Sequence, residues 1–236
     1  MGKIIYSFLL IILTGNFIYA ENIKNTDFEK KVLKRKQILL TNEMEYKDGQ
    51  SSSGASAFLI HYNGEIYAVT AKHLLGKAMG IVPEVLPSNF NSEIKEWTLF
   101  RRYSPNEKLT VKKLISEDNN MSNDVILFQI NEIPRKTHPL KVSTEKLIEN
   151  KKYYLIGCPY KETTCNQNIY RISYKEKQHN MEIFTLESKL ELSGFSGAPI
   201  VDEKGDVVSI LVAGWANNTI GSIDLRTVLK NIEQIK

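Results

Sequence analysis

Ser193-Gly194-Phe195-Ser196-Gly197-Ala198-Pro199-Ile200 is the stretch on which the reading of this chain turns. A serine stands in a Gly-x-Ser-Gly turn, and an apolar run over residues 207–212 follows the polar turn Asp202-Glu203-Lys204-Gly205-Asp206. Such a turn lifts the Ser196 hydroxyl clear of the backbone and lets the amides of Gly194 and Ser196 point at one spot. A hydroxyl beside two converging N–H groups supplies a nucleophile and a seat for a developing oxyanion. Alone the motif is weak, because Gly-Ser-Gly also occurs in ordinary loops.

Two upstream stretches change its weight. Ala68-Val69-Thr70-Ala71-Lys72-His73 puts a histidine just after an apolar run, and Ser122-Asn123-Asp124-Val125-Ile126-Leu127-Phe128 puts an aspartate just before another. A serine hydroxyl is a poor nucleophile at neutral pH and needs an imidazole to take its proton. The imidazole needs a carboxylate to fix its tautomer and stabilise it once charged. Each residue has a plainer reading: a histidine after a strand as a structural residue, an aspartate before one as a turn or cap residue. Three matching contexts in one order are a rarer accident than any of them singly.

Thr-Ala-x-His, Asp-Val-Ile-Leu and Gly-x-Ser-Gly-x-Pro, in the order His73, Asp124, Ser196, resemble the trypsin/chymotrypsin-like serine peptidases. The resemblance implies an all-β fold of two six-stranded antiparallel β-barrels with a C-terminal helix. The first barrel would supply His73 and Asp124 and the second Ser196. It implies peptide-bond hydrolysis through an acyl-enzyme, with Gly194 and Ser196 amides as the oxyanion hole, a protein or peptide substrate, and neither organic cofactor nor metal. Two positions depart from the animal digestive enzymes. Phe195 stands where those carry an aspartate that pairs with a newly cut N-terminus, and Ala198 replaces the second glycine after the serine. The Gly-x-Ser-Gly-x-Pro form is closer to bacterial members, among them glutamyl endopeptidases and HtrA-like protease domains, although no PDZ domain is expected after Lys236 and a complete HtrA architecture is therefore not expected either. By offset from Ser196, Leu190 and Glu191 fall at the base and wall of the primary pocket, Leu211 on the opposite wall, and Val212-Ala213-Gly214 on the edge that pairs with substrate. Leucine at 211, where glutamyl endopeptidases place a histidine, argues against cleavage after acidic residues. Leu190 and Leu211 favour an apolar or small P1 side chain; Glu191 turned inward would favour lysine or arginine. A fold kept as a non-catalytic or latent binding module is the alternative function, and plain packing the alternative for the pocket residues.

Residues 1–20 read as a secretory signal peptide, with Lys3 ahead of an apolar core and a cut after Ala20. The apolar run is short for a spanning helix, and no other segment is long and apolar enough, so no membrane span is expected after signal removal. The chain is expected to be exported, to the periplasm or the medium. Residues 21–50 form a polar leader, a propeptide or tether among the possibilities, with a basic cluster from Lys30 to Lys36. The net charge of +4 is spread along the chain and makes no case for nucleic acid. Cys158 and Cys165, close in sequence in an exported protein, read as a local disulfide or else as two free thiols. His61, His138 and His179 are scattered, so no metal site is expected.

Residues 51–236 make the expected domain. Its first barrel covers about 51–135, its second about 150–223, and a C-terminal helix about 224–235. Asn63-Gly64 between apolar runs 55–62 and 65–70 predicts a hairpin. A helical turn is expected at 71–77, an irregular insertion at 81–97, strands at 97–103 and 109–115, and a linker at 133–150. In the second half, strands are expected at 153–157, 169–174, 183–186 and 207–212. Leu225, Val228, Leu229, Ile232 and Ile235 at helical spacing mark the terminal helix.

Overall fold

The computed structural model describes Glu29, residues 37–115, Asn119, residues 123–130 and residues 132–233. The signal peptide and the basic cluster lie outside the described residues.

Strands β1 (Leu40–Tyr46), β2 (Ser51–Tyr62), β3 (Glu65–Ala71), β4 (Ile94–Arg101), β5 (Ser104–Thr110), β6 (Lys113–Leu114), β7 (Val125–Gln129) and β8 (Leu140–Lys141) build the first half. They form one curled sheet in the order β5-β4-β1-β2-β3-β7-β6, with β8 paired to β2. Strands β9 (Lys152–Gly157), β10 (Asn168–Gln178), β11 (Met181–Leu186), β12 (Pro199–Val201), β13 (Val207–Gly214) and β14 (Thr219–Asp224) close a six-stranded barrel, and a helix, Leu225–Glu233, follows. The fold is chymotrypsin-like. The first half differs from a closed six-strand barrel: its path has two ends, at β5 and at β6, a strand of two residues.

The Asn63-Gly64 hairpin forms as predicted. Tyr62 pairs with Glu65, and Asn63 and Gly64 take φ values of 48° and 81°, the pair of positive angles that a type I′ turn demands. Part of the expected leader is sheet instead: β1 alternates buried Leu40, Asn42, Met44 and Tyr46 with outward residues. Its inward polar residue disguised it. Asn42 is fully buried because its amide bonds to the Ser56 carbonyl (3.2 Å) and Thr70 Oγ1 (3.3 Å), and its oxygen accepts from the Trp97 indole (3.1 Å). Glu29, in the same expected leader, is buried with its carboxylate on Arg171 of β10 (2.8 and 3.2 Å). The insertion holds short helical turns at Pro87–Asn89 and Phe90–Glu93 and gives way to β4 at Ile94, earlier than expected.

Three apolar clusters make up most of the core. One fills the first sheet around Leu59, Trp97, Leu99 and Phe128; one fills the closed barrel around Leu155, Phe184, Phe195 and Ile220. The third joins them: Phe58, Ile60, Val69 and Leu127 meet Ile156, Val201, Ile210 and the helix residues Leu225, Val228 and Leu229. Burying side chains of this size contributes about 1.5–3 kcal/mol each. This shared layer packs β2, β3 and β7 against β9, β12, β13 and the terminal helix.

Candidate active site

His73 lies in a short 3-10 turn, Lys72–Leu75, that starts where β3 stops. Asp124 immediately precedes β7. Because Ala71 pairs with Val125 across β3 and β7, the sheet register itself places Asp124 opposite the start of the turn. The carboxylate then grips His73 at two points. Oδ1 accepts the backbone N–H (2.8 Å) and Oδ2 lies 2.6 Å from ring Nδ1, with both side chains about four-fifths buried (23% and 19% exposed). A carboxylate on Nδ1 places the ring proton there and leaves the Nε2 lone pair free to act as a base.

Two consecutive tight turns share Phe195, and Ser196 is the second residue of the second. Phe195 N–H donates to the Leu192 carbonyl (3.0 Å) with Gly194 at φ 95°, and Ala198 N–H donates to the Phe195 carbonyl (2.8 Å) with Gly197 at φ 86°. A positive φ at the third turn residue is the demand that glycine meets in both. The Ser193 carbonyl accepts from the Tyr160 amide (2.8 Å). In a planar trans peptide, carbonyl and N–H point in opposite directions. The Gly194 and Ser196 N–H groups therefore leave the loop on the faces opposite the Ser193 and Phe195 carbonyls. Neither has an acceptor among the described residues.

The first sheet seats this loop. Ser56 N–H donates to the Ser196 carbonyl (2.8 Å), and the Ser56 hydroxyl to the Gly194 carbonyl (2.7 Å). A Cβ on Gly197 would overlap the Ser56 carbonyl oxygen and stand 2.7 Å from Thr70 Oγ1. Thr70 is in β3, three residues before His73, so the serine loop docks at the end of the sheet that carries His73 and Asp124. The Ser196 hydroxyl makes no hydrogen bond among the described residues. The geometry thus holds His73 on Asp124 and brings the serine loop to the same edge, with the Ser–His bond still open.

Phe195 is fully buried. Its ring lies on Gly157, where any Cβ would overlap the ring edge, and stands edge-on to Tyr170 with centroids 5.5 Å apart. Cys158 and Cys165 are joined, with Cα atoms 5.8 Å apart, and both are buried beside Leu39. Of the pocket residues, Leu211 is buried and its backbone pairs with the serine loop: Gly197 N–H donates to the Leu211 carbonyl and Leu211 N–H to the Ala198 carbonyl, each at 2.9 Å. Val212 and Ala213 are half-buried along β13, and Gly214 is exposed at its end. Leu190 packs on the barrel core. Glu191 faces outward, paired with Lys161 (3.2 Å). Leu192, absent from the sequence reading, lies flat on Gly214, where a Cβ would overlap its Cδ1. Sequence reasoning also missed Ser56, Tyr160, Arg102 and Gly157. Of these only Gly157, beside the flagged Phe195 and Cys158, had a neighbour that invited attention.

No group of three or more His, Cys, Asp or Glu side chains suited to a metal occurs among the described residues, and none of their helices is long and apolar enough to cross a membrane.

No curated protein sequence matches the chain. Among solved structures it is similar to the active form of the Rv3671c protease from M. tuberculosis, with 14% identity and a TM-score of 0.60 over 87% of this chain and 83% of that one. It is similar as well to the serine endoprotease from Yersinia pestis, with 14% identity and a TM-score of 0.59 over 87% of this chain and 65% of that one. The inactive form of the Rv3671c protease aligns with a TM-score of 0.53 at 15% identity, over 83% of this chain and 88% of that one. These likenesses are of fold. The family model of the trypsin-like peptidase domain matches residues 55–210, a span that holds His73, Asp124 and Ser196, and the chain belongs to that family.

Proposed function

We propose that the chain is an exported serine endopeptidase whose nucleophile is Ser196, whose general acid–base is His73 and whose orienting carboxylate is Asp124. The observation that carries this reading is the two-point grip of Asp124 on His73. A carboxylate spent on one imidazole, with Nε2 left for another partner, is an arrangement that catalysis uses and packing alone does not require.

Ser196 Oγ attacks the scissile carbonyl carbon while its proton passes to His73 Nε2. The resulting alkoxide is held by the Gly194 and Ser196 amides, neither of which has an acceptor among the described residues. His73 then returns the proton to the leaving amine, the C–N bond breaks, and an ester on Ser196 remains. Water repeats the sequence with His73 as base, releasing the acid and restoring the hydroxyl. Asp124 stays ionised throughout. A protein or peptide is the substrate. Small or apolar P1 residues are favoured, because Leu192 lies across Gly214 between the proposed pocket walls and Glu191 is turned out to Lys161. Export rests on residues 1–20 and agrees with the Cys158–Cys165 bridge, since disulfides persist in oxidising compartments.

A binding module with a vestigial site is the second reading, and the open Ser196–His73 bond is what favours it. The test is labelling by a fluorophosphonate, beside Ser196→Ala and His73→Ala. Labelling lost in both variants supports the peptidase; folded wild-type protein that never labels supports the binding module.

A further inference from the structure

Phe195 cannot make the ion pair that an aspartate at this place makes with a freed N-terminus, so something else must hold the oxyanion turn. The turn Leu192–Phe195 depends on the setting of one peptide, Ser193–Gly194. Rotating that peptide by half a turn would aim the Ser193 carbonyl where the Gly194 N–H now points. Gly194 has no side chain to resist the rotation. What opposes it is the bond from the Tyr160 amide to the Ser193 carbonyl (2.8 Å).

Tyr160 is itself in a loop and largely exposed (58%), yet its backbone is held from both sides. Arg102, in the turn between β4 and β5, donates from Nη1 to the Pro159 carbonyl (3.1 Å) and from Nη2 to the Tyr160 carbonyl (2.6 Å). The Cys158–Cys165 bridge closes the loop at its base, within the buried cluster that includes Leu39. Glu162 N–H donates to the Pro159 carbonyl and Cys165 N–H to the Glu162 carbonyl, each at 3.1 Å, so the loop is also turned in on itself. An arginine on the first sheet therefore reaches across to set a carbonyl pair in the second half. The amide of that pair sets the peptide beside Ser196.

We propose that Arg102 and the disulfide-closed 158–165 loop are the positioning device of the oxyanion turn, taking the place of the N-terminal ion pair. The inference deepens the peptidase reading and rests on it for its catalytic consequence alone; the ordering of Gly194 is a property of the folded chain. Arg102 touches neither substrate nor reacting atoms. It acts through Tyr160, and its planar fork presents two N–H groups to two carbonyls in a fixed geometry that the flexible ammonium of a lysine does not preset.

The experiment uses the full mature chain as wild type, Arg102→Ala, Arg102→Lys and the double variant Cys158→Ala/Cys165→Ala. Amide exchange of Tyr160 and the Gly194 resonance are followed by NMR, beside kcat and KM for an ester substrate and a thermal melt. In Arg102→Ala and in the double-cysteine variant, Tyr160 exchange is expected to accelerate at least about tenfold. The Gly194 resonance is expected to broaden or double. kcat is expected to fall about five- to tenfold, the population shift that loss of one neutral hydrogen bond gives, with KM within about twofold. Arg102→Lys should lie between the two. Folded variants with wild-type Tyr160 exchange and an undisturbed Gly194 resonance would overturn the proposal, as would a loss confined to KM. If wild-type protein hydrolyses nothing while the exchange responses appear as described, the peptidase reading fails and the positioning device stands.

Discussion

Gly197→Ala should cost this protein both stability and chemistry, and the two losses can be worked from one contact. Gly197 has φ 86°, a region in which an L-residue other than glycine carries about 1–2 kcal/mol of strain. Its Cβ would also overlap the Ser56 carbonyl oxygen and stand 3.1 Å from the carbonyl carbon. Neither is the end of a flexible side chain, and Thr70 Oγ1, also in the way, is bonded to the same oxygen (2.7 Å). The loop must therefore back off by about 1.4 Å to reach ordinary van der Waals contact. That movement stretches Ser56 N–H to Ser196 O and Gly197 N–H to Leu211 O, now 2.8 and 2.9 Å. Two such bonds contribute about 0.5–1.5 kcal/mol each. The expected destabilisation is the sum, about 2–5 kcal/mol, read by urea unfolding with linear extrapolation. A displacement of this size at the nucleophile lowers kcat about 10²-fold. Gly64→Ala is the matched control: Gly64 has φ 81° but nothing within 4 Å of its Cβ, and it sits at the hairpin tip at the other end of β2. It should show the strain alone and leave kcat unchanged. Gly197→Ala no less stable than Gly64→Ala, and labelled by a fluorophosphonate as fast as wild type, would refute the claim that the first sheet seats the serine loop through Gly197.

Three further outcomes can be checked with the same assays. Asp124→Asn should lower kcat about 10³- to 10⁴-fold with little change in the melt, because both partners of the carboxylate are N–H donors and an amide can accept on only one of its atoms. Leu192→Ala should shift P1 preference toward larger apolar residues, read as a rise in kcat/KM for a P1 phenylalanine over a P1 alanine substrate, since the space across Gly214 is cleared. Asn42→Ala should destabilise by about 3 kcal/mol in urea unfolding, as it leaves the buried Trp97 indole N–H without its acceptor and removes the amide that ties β1 to β2 and β3.

What the sequence made legible was whatever had a short-range signature. The Asn63-Gly64 turn, the serine turn with its glycines and the helix spacing of Leu225, Val228 and Leu229 are local patterns, and each appears where it was read. His73 and Asp124 were legible through the strands beside them, since Ala71 opposite Val125 is all that is needed to bring them together. Strand β1 was not. Its alternation is apolar at three of four inward positions, and the fourth, Asn42, is satisfied by partners on three other strands, among them Ser56, Thr70 and Trp97. Polar residues buried through long-range bonds look like loop residues to any reading of neighbours. Arg102 was hidden for the same reason: its bonds to Pro159 and Tyr160 cross from one half of the fold to the other. The open end of the first sheet at β6 likewise has no mark in the sequence.

Phe195 shows how a departure from a family pattern becomes readable once packing is known. An aspartate here would need a cation brought to it after folding, so order would wait on cleavage. A phenylalanine is anchored by folding itself: the Gly157 backbone lies against its ring, Tyr170 closes it edge-on, and no side chain at 157 would leave room. The oxyanion turn is then tied to the barrel core, and its integrity should follow the stability of that core instead of the state of the N-terminus. Phe195→Ala tests this. Removing a fully buried phenylalanine should cost about 3–5 kcal/mol and free the turn at its inner side. Phe195→Leu keeps most of the volume and should restore most of the stability. If anchoring is the role, fluorophosphonate labelling rates fall in the order wild type, Phe195→Leu, Phe195→Ala, measured where all three are folded. They should be the same whether or not residues 21–28, which stop short of the buried Glu29, are present. Labelling that depends on removal of those residues, and is indifferent to the side chain at 195, would return the ordering of the turn to an N-terminal switch.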